Sequence, residues 1–234
     1  PAPVSVAVRP GAEFSLAAAR QLLVDRGYQE AITYSFIAPE SAALITPQTE
    51  GIALANPISA DMSVMRASLW PGLIQALQHN LARQQSRVRL FESGLTFIRD
   101  DAGIEQHPKL AGLAYGEIVP EQWSASARKV DFFDIKADVE ALLSYSADAS
   151  GFRFEAAEHP ALHPGQAARI SRVGRPLGWI GLLHPQVQKA LDLPGGVFVF
   201  EVDLVALRDG RIPAFEPLSK YPSIRRDFAL LVSR

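Results

Sequence analysis

The chain has 234 residues, of which 48% are hydrophobic and 21% are charged, so it can build apolar cores for one large domain or two small ones. It has no cysteine, which excludes disulfides and thiolate metal sites and favours a cytoplasmic protein. No apolar run approaches the ~18 residues of a membrane-spanning helix, and a formal net charge of −2 argues against a surface built for phosphate contacts.

The N-terminal part of the chain predicts a linker, a helix and a strand. Residues 1–13 are interpreted as a linker, and their first residue, Pro1, predicts a piece excised from a longer protein, without a signal peptide. Ser15 is the expected N-cap of an apolar helical stripe that Gly27 ends. The β-branched and aromatic segment Ala31–Phe36 predicts a strand. Periodicity alone favours an ordinary packed helix and strand here.

The middle of the chain predicts a buried helix followed by extended structure. A short helix over 41–45 and a short strand over 52–54 come first. Leu73, Leu77 and Leu81 then recur every four residues, which places them on one helix face. After Ser86 the period changes: Val88 and Leu90 alternate with Arg87, Arg89 and Phe91, as in a strand with two different faces. Gly94 is expected to allow a bend or bulge, and the polar residues 99–108 are predicted to form a hairpin loop.

The second half alternates strands and short helices. The predicted elements are a strand over 110–118, a helix over 131–145, a strand over 152–156, a hairpin of 166–173 with 176–183, a short helix over 184–191, a strand over 197–202 and a helical turn over 204–207. Many of these strands are joined by hairpins. The chain is therefore predicted to be an α+β protein with a mostly antiparallel sheet.

Three features invite a metal or lid interpretation. His159 and His163 are four residues apart beside Glu158, but Pro160 and Pro164 exclude the helix that would aim both rings at one ion. A rigid loop with His163 bonded to the backbone is favoured over a metal site. Asp131, Asp134 and Asp138 are interpreted as solvated acids of a helix face rather than Mg²⁺ ligands, with Asp131 also a possible N-cap. Trp123 is expected to be a half-buried loop anchor rather than a lid.

The stretches MRASLWPGL and NLARQQSRVRLFESGLTF resemble the synthetase-like core of the bacterial phenylalanyl-tRNA synthetase β subunit family. This resemblance implies a class II aminoacyl-tRNA synthetase-like fold, with a mostly antiparallel sheet flanked by helices. It implies a core over 14–213, while LSKYPSIRRDFALLV within 214–234 resembles the first strand of the ferredoxin-like anticodon-binding domain that follows in the family.

The resemblance also implies that the core is catalytically silent. A working class II enzyme holds the ATP α-phosphate with an arginine that follows a strand like Phe91–Glu92–Ser93–Gly94, and Ile98 stands at that position. The third motif needs a glycine-rich strand and an arginine, which the segment from Phe200 to Leu204 lacks. No catalytic, cofactor-binding or metal-binding residue is therefore predicted. In the family, the α subunit holds phenylalanine, ATP and Mg²⁺.

The implied role is architectural: a scaffold that joins the α subunit and a second β subunit in an (αβ)₂ enzyme that charges tRNA with phenylalanine. The segment from Phe14 to Pro39 resembles the first class II motif, which builds subunit interfaces. The candidate contact residues are Ser15, Ala19, Leu22, Leu23, Arg26, Met65, Arg66 and Trp70. Apolar helix faces separated from a larger assembly are also expected to make the chain self-associate.

Two other classes of function remain open from the residues. One is a free-standing class II-type adenylating ligase for an amino acid or a biotin-like acid, which Ile98 disfavours. The other is a tRNA-binding module that uses Lys220, Arg225 and Arg226, which the absence of an aromatic and basic stripe disfavours.

Overall fold

The computed structural model describes residues 14–124, 126–145, 151–208, 225–229 and 231. The predicted linker over 1–13 lies outside the described residues, and so does most of the predicted domain start over 214–234. The described tail residues 225–229 and Leu231 are exposed and belong to no helix or strand. The limits proposed for the core, 14–213, remain a prediction.

In the described ranges, ten strands form two sheets. The large sheet has seven strands in the order β1-β5-β6-β10-β9-β8-β7, and the small sheet has the order β2-β4-β3. Every described strand pair is antiparallel except β1 with β5. The strands are β1 Gln29–Glu30, β2 Phe36–Ile37, β3 Ile52–Ala53, β4 Val64–Met65, β5 Val88–Asp100, β6 Gly103–Tyr115, β7 Phe152–Ala156, β8 Leu162–Arg172, β9 Arg175–Leu183 and β10 Phe198–Asp203. This is the predicted α+β fold with a mostly antiparallel sheet.

The described part of the chain has six α-helices, and the ends of two of them follow the capping signals of the sequence. The six are α1 Leu16–Asp25, α2 Pro39–Ile45, α3 Trp70–Leu81, α4 Phe132–Leu143, α5 Pro185–Ala190 and α6 Leu204–Arg208, and a 3₁₀ turn covers Ala60–Met62. The Ser15 side chain accepts a hydrogen bond from the N–H of Ala18 at the start of α1. Asp131 caps α4 in a reciprocal capping box with Asp134, as its predicted N-cap role requires.

The large sheet is buried on both faces. Successive residues of a strand point to opposite faces, and in β10 Phe198 and Phe200 join one apolar cluster while Val199 joins the other. The first cluster packs α1, α4 and α6 on the sheet, and the second packs α2, α3 and α5 on the other face. A sheet between two helical layers explains why most residues of the central strand β10 are apolar.

The structure corrects the prediction of a strand over Ala31–Phe36. Only Gln29–Glu30 and Phe36–Ile37 are strands, and the residues between them belong to no helix or strand. Ile32 is 93% exposed and Tyr34 is 66% exposed, so their apolar character does not serve the core. Thr33, between them, points inward and bonds to Glu92.

The predicted loop over 99–108 is also wrong. Strands β5 and β6 continue as one long hairpin in which Asp100 pairs with Gly103. The polar end of this hairpin looks like a loop in sequence because residues 99–106 are all exposed, where the strands extend beyond the apolar body of the sheet. The rigid loop predicted around His159 and His163 is likewise partly strand, since β8 begins at Leu162 and its register with β9 shifts between Leu162 and Ala167.

Strand β5 does not alternate between a buried and a solvated face. Arg89 is buried together with Leu90 and Phe91, because helices cover both faces of the sheet. Gly94 lies within continuous pairing opposite Lys109, so the predicted bend or bulge is wrong as well. Trp123 is 99% exposed and anchors no loop, contrary to expectation.

Candidate functional site

The counterparts of the second and third class II motifs lie on β5 and β10, with β6 between them. Glu92 of β5 and Glu201 of β10 are both paired with Ala111 of β6. Directly opposite residues in a sheet point to the same face, so the two carboxylates form a row across three strands. This row lies on the face that α3 covers, and we call it the carboxylate row, Glu92 and Glu201.

Arg66, from the segment before α3, neutralises the first carboxylate of the row. Its Nη1 lies 2.8 Å from Glu92 Oε1, and both side chains are buried. The same guanidinium donates from Nε to the carbonyl of Leu95 at 3.0 Å. Thr33 completes the shell, since its hydroxyl donates to Glu92 Oε2 at 2.6 Å. The charge and the hydrogen-bonding capacity of Glu92 are thus satisfied inside the chain.

Glu201, the second carboxylate, holds the start of α3. Its Oε2 accepts hydrogen bonds from the backbone N–H of Leu69 at 2.7 Å and from the hydroxyl of Ser68 at 2.9 Å. The ammonium of Lys109 lies 2.8 Å from Oε1. A carboxylate at a helix N-terminus also interacts favourably with the helix dipole. The arrangement fixes α3 against β10 and leaves Glu201 fully engaged.

An aromatic group closes the same face. The ring of His159 lies edge-on between Trp70 and Trp179, with centroid distances of 5.3 and 5.0 Å. Burial lowers the pKa of His159 to about 4, and the nearby ammonium of Lys109 contributes to the lowering. His159 is therefore neutral at physiological pH, and its ring packs between the two tryptophans.

Gly94 leaves space for the guanidinium of Arg66. A Cβ atom at Gly94 would lie 2.4 Å from Nη2 of Arg66, so a side chain there would displace the guanidinium. The glycine that suggested a bend in the sequence is instead required by the close approach of Arg66. What resembles a catalytic strand is shaped here to receive the chain's own arginine.

The positions expected to bind phosphate carry other roles. Ile98 is paired with Glu105 near the end of the β5–β6 hairpin, and the neighbouring Arg99 and Asp100 are exposed there. Asp203, at the end of β10, accepts hydrogen bonds from the N–H groups of Val205 and Ala206 and so caps α6. The charged groups of the site therefore neutralise one another: Arg66 is paired with Glu92, and Lys109 is paired with Glu201.

Half of the candidate interface residues are buried within the chain. Ala19, Leu23 and Trp70 are buried in the chain's own cores, and Arg66 is buried in its ion pair. The other four residues retain exposed or half-exposed surface: Ser15, Leu22, Arg26 and Met65. Their contact with a partner stays a prediction.

A second buried ionic cluster, which the sequence analysis missed, ties α1 to α4. Asp138, predicted to be solvated, is buried and lies 2.7 Å from Arg26 and 3.0 Å from Arg89. Tyr28 donates its hydroxyl to the same carboxylate at 2.8 Å, and burial raises the pKa of that hydroxyl well above its usual range. The available signal was an arginine inside an apolar strand, because a buried cation requires a buried partner.

Three of the four histidines that precede a proline accept hydrogen bonds from the backbone. Nδ1 of His159, His163 and His184 each accepts a hydrogen bond from the N–H two residues later. The predicted backbone bond of His163 is thereby confirmed. Among the described residues, no group of three or more histidine, aspartate or glutamate side chains is arranged to hold a metal ion. No helix in the same part of the chain is long and apolar enough to cross a membrane.

The fold is that of the class II aminoacyl-tRNA synthetases. The structure aligns with a pyrrolysyl tRNA synthetase from Desulfitobacterium hafniense with a TM-score of 0.58, over 83% of this chain and 66% of that one, at 13% sequence identity. The model of the phenylalanyl tRNA synthetase β chain CLM domain matches residues 3–204. The chain belongs to this β chain family.

Curated relatives agree with this assignment. The chain is 56% identical over 223 residues to the phenylalanine–tRNA ligase β subunit of Pseudomonas fluorescens and 51% identical over 233 residues to that of Methylococcus capsulatus. These matches cover 95% and 99% of the chain but only 28% and 29% of the relatives. The chain thus corresponds to a part of the β subunit.

Proposed function

We propose that the chain is a non-catalytic scaffold within a phenylalanine–tRNA ligase. The observation that carries the proposal is the filled face over the carboxylate row. Arg66 forms an ion pair with Glu92, and the backbone at the start of α3 donates a hydrogen bond to Glu201. The rings of Trp70 and His159 pack together over the same face. An adenylating site needs free cations and an open cleft for a triphosphate, whereas these side chains are bonded to one another.

The proposed partners follow from membership of the β chain family. The scaffold would join an α subunit and a second β subunit in an (αβ)₂ enzyme of the cytoplasm. The α subunit would hold ATP, Mg²⁺ and phenylalanine, and the assembled enzyme would charge the tRNA. The exposure of Ile32 and Tyr34, together with the exposed Arg26 and the half-exposed Leu22, supports a partner surface in the segment that resembles the first class II motif.

ATP–pyrophosphate exchange tests the silent role. The chain alone, supplied with phenylalanine and a panel of other carboxylic acids, is expected to show only background exchange. A free-standing adenylating ligase would exchange with at least one acid of the panel. Robust exchange by the purified chain would therefore overturn the proposal.

Co-purification with the α subunit tests the partner surface. The variants Ile32→Asp and Tyr34→Asp place a charge on the proposed surface and are expected to reduce capture of the α subunit at least tenfold. Trp123→Asp is the matched control, because Trp123 is equally exposed but lies in the loop between β6 and α4. Equal capture by all three variants would argue against this surface.

A further inference from the structure

Strand β7 forms one end of the large sheet and, within the described residues, pairs only with β8. Such an edge presents unpaired backbone groups that another strand can bind. Edge strands of stable monomers often carry charges that repel a second copy of themselves. Strand β7 instead carries two exposed charges of opposite sign, Arg153 and Glu155, which can attract their counterparts in a second copy.

The backbone pattern fixes which groups are available at this edge. Val173 donates its N–H to the carbonyl of Gly151 at 3.3 Å, in register with the pairing of Phe152 opposite Arg172. Bonded and non-bonded pairs alternate in an antiparallel ladder, so Arg153 and Glu155 bond to β8. The N–H and C=O groups of Phe152, Phe154 and Ala156 therefore point to the open edge.

Two copies of β7 can pair antiparallel about a twofold axis in only a few registers that match these groups. If the axis passes Arg153, two arginines lie opposite each other, and if it passes Glu155, two glutamates do. If it passes Phe154, Arg153 of each copy lies opposite Glu155 of the other. Directly opposite charges of unlike sign stabilise a strand pair, and like charges destabilise it. The electrostatics thus select the register centred on Phe154.

An apolar groove lies beside the same edge. It has a volume of about 500 Å³, and its lining includes Phe132, Phe133, Phe154 and Ala156. Phe133 is 74% exposed on the first turn of α4, and the ammonium of Lys136 lies 4.8 Å from the centre of the Phe154 ring. In the Phe154-centred register the two Phe154 side chains are directly opposite, which adds an aromatic cross-strand contact between the copies.

We propose that this chain self-associates through β7, as a twofold antiparallel pair centred on Phe154, with Arg153 of each copy opposite Glu155 of the other. Within the described part of the chain, Glu155 lies 3.5 Å from Arg169 in an ion pair on an exposed surface. Because a pair of five-residue strands is a small interface, the dissociation constant is expected to be on the order of 100 μM. The proposal concerns the chain by itself and does not depend on the function proposed above.

Sedimentation equilibrium of a charge-reversal cycle tests this pairing. Arg153→Glu and Glu155→Arg each place like charges opposite one another, and each is expected to weaken the dimer roughly tenfold. The double variant Arg153→Glu/Glu155→Arg restores unlike charges and is expected to dimerise like the wild type. Arg175→Glu, at the exposed start of β9, changes the net charge as Arg153→Glu does and should have no effect.

Three outcomes would overturn the proposal. They are a wild-type chain that stays monomeric to about 1 mM, single reversals that leave association unchanged, and a double variant that fails to recover it. Unchanged association in the single variants would assign it to another surface. Circular dichroism of each variant ensures that only folded chains are compared.

Discussion

A buried arginine and a buried glutamate form an ion pair on the sheet face that α3 covers. Arg66 and Glu92 are both nearly inaccessible and lie 2.8 Å apart. Taking two charges out of water costs several kcal/mol for each ion, so the pair is stable only because each charge has the other and because hydrogen bonds satisfy their remaining groups. The loss of one partner therefore matters more than the loss of both.

The Arg66–Glu92 pair can be tested by a double-mutant cycle. Arg66→Met leaves Glu92 buried with its Thr33 bonds but without a cation, and it is expected to lower the free energy of unfolding by about 3–5 kcal/mol. The double variant Arg66→Met/Glu92→Met removes both charges and should recover most of the loss. Urea denaturation measures both values. If the double variant is as unstable as the sum of the two single variants, the pair is not coupled as the geometry requires.

A second prediction at this scale concerns the pH dependence of stability. The pKa of His159 is about 4 in the folded chain, whereas an ordinary, solvated histidine has a pKa of 6.5. Between pH 4 and pH 6.5 the unfolded chain therefore binds one proton more than the folded chain. The contribution of His159 is fully present above pH 6.5 and is lost as the pH falls toward 4. After allowance for its partial exposure, the loss is on the order of 2 kcal/mol.

The pH effect is measured from urea midpoints between pH 4 and 7. His159→Phe keeps a ring between the two tryptophans and removes the titration, so its stability is expected to fall less steeply in this range. His163→Asn is the control, because His163 makes the same local backbone bond but lies outside the tryptophan pair. An identical slope for the wild type and His159→Phe would contradict the assignment.

At the scale of elements, α3 lies so close to Thr33 that position 72, in its first turn, accepts no side chain. A Cβ at Gly72 would lie 2.1 Å from the hydroxyl oxygen of Thr33, which is bonded to Glu92 and Arg66. Helix propensity alone favours alanine over glycine by roughly 1 kcal/mol. Contact with Thr33 opposes this preference and reverses its sign.

Gly72→Ala is therefore expected to destabilise the chain, by about 2 kcal/mol or more, since the overlap must displace a buried group. Gly195→Ala is a suitable control, because a Cβ there meets nothing within 4 Å. Thermal unfolding of both variants tests the expectation. A stabilised Gly72→Ala variant would mean that Thr33 moves away without cost.

At the scale of the whole molecule, restoring the missing arginine should not restore an enzyme. Ile98→Arg supplies the residue type that a class II enzyme uses, but Arg66, Trp70 and the start of α3 still cover the carboxylate row. Exchange activity and ATP binding in equilibrium dialysis are both expected to stay at background. ATP binding by the Ile98→Arg variant, but not by the wild type, would show that the covered face opens readily.

The sequence by itself determined the helices, most strand positions and the family. Leu73 and Leu77 mark the buried face of α3, Asp131 marks the start of α4, and Val173 and Gly174 mark a hairpin whose turn has positive φ at both residues. These features are local, because capping, turn geometry and periodicity depend on residues a few positions apart. The presence of Ile98 at the position where the resemblance implies an arginine is likewise evident from the sequence alone.

Only the tertiary structure decided what fills the site and which charges are buried. Arg66 meets Glu92 across 26 positions, Asp138 meets Arg26 across 112, and Ser68 meets Glu201 across 133. No periodicity connects residues so far apart in the chain. A charged residue in a strand is solvated or buried according to whether helices cover that face, and this depends on how the layers assemble.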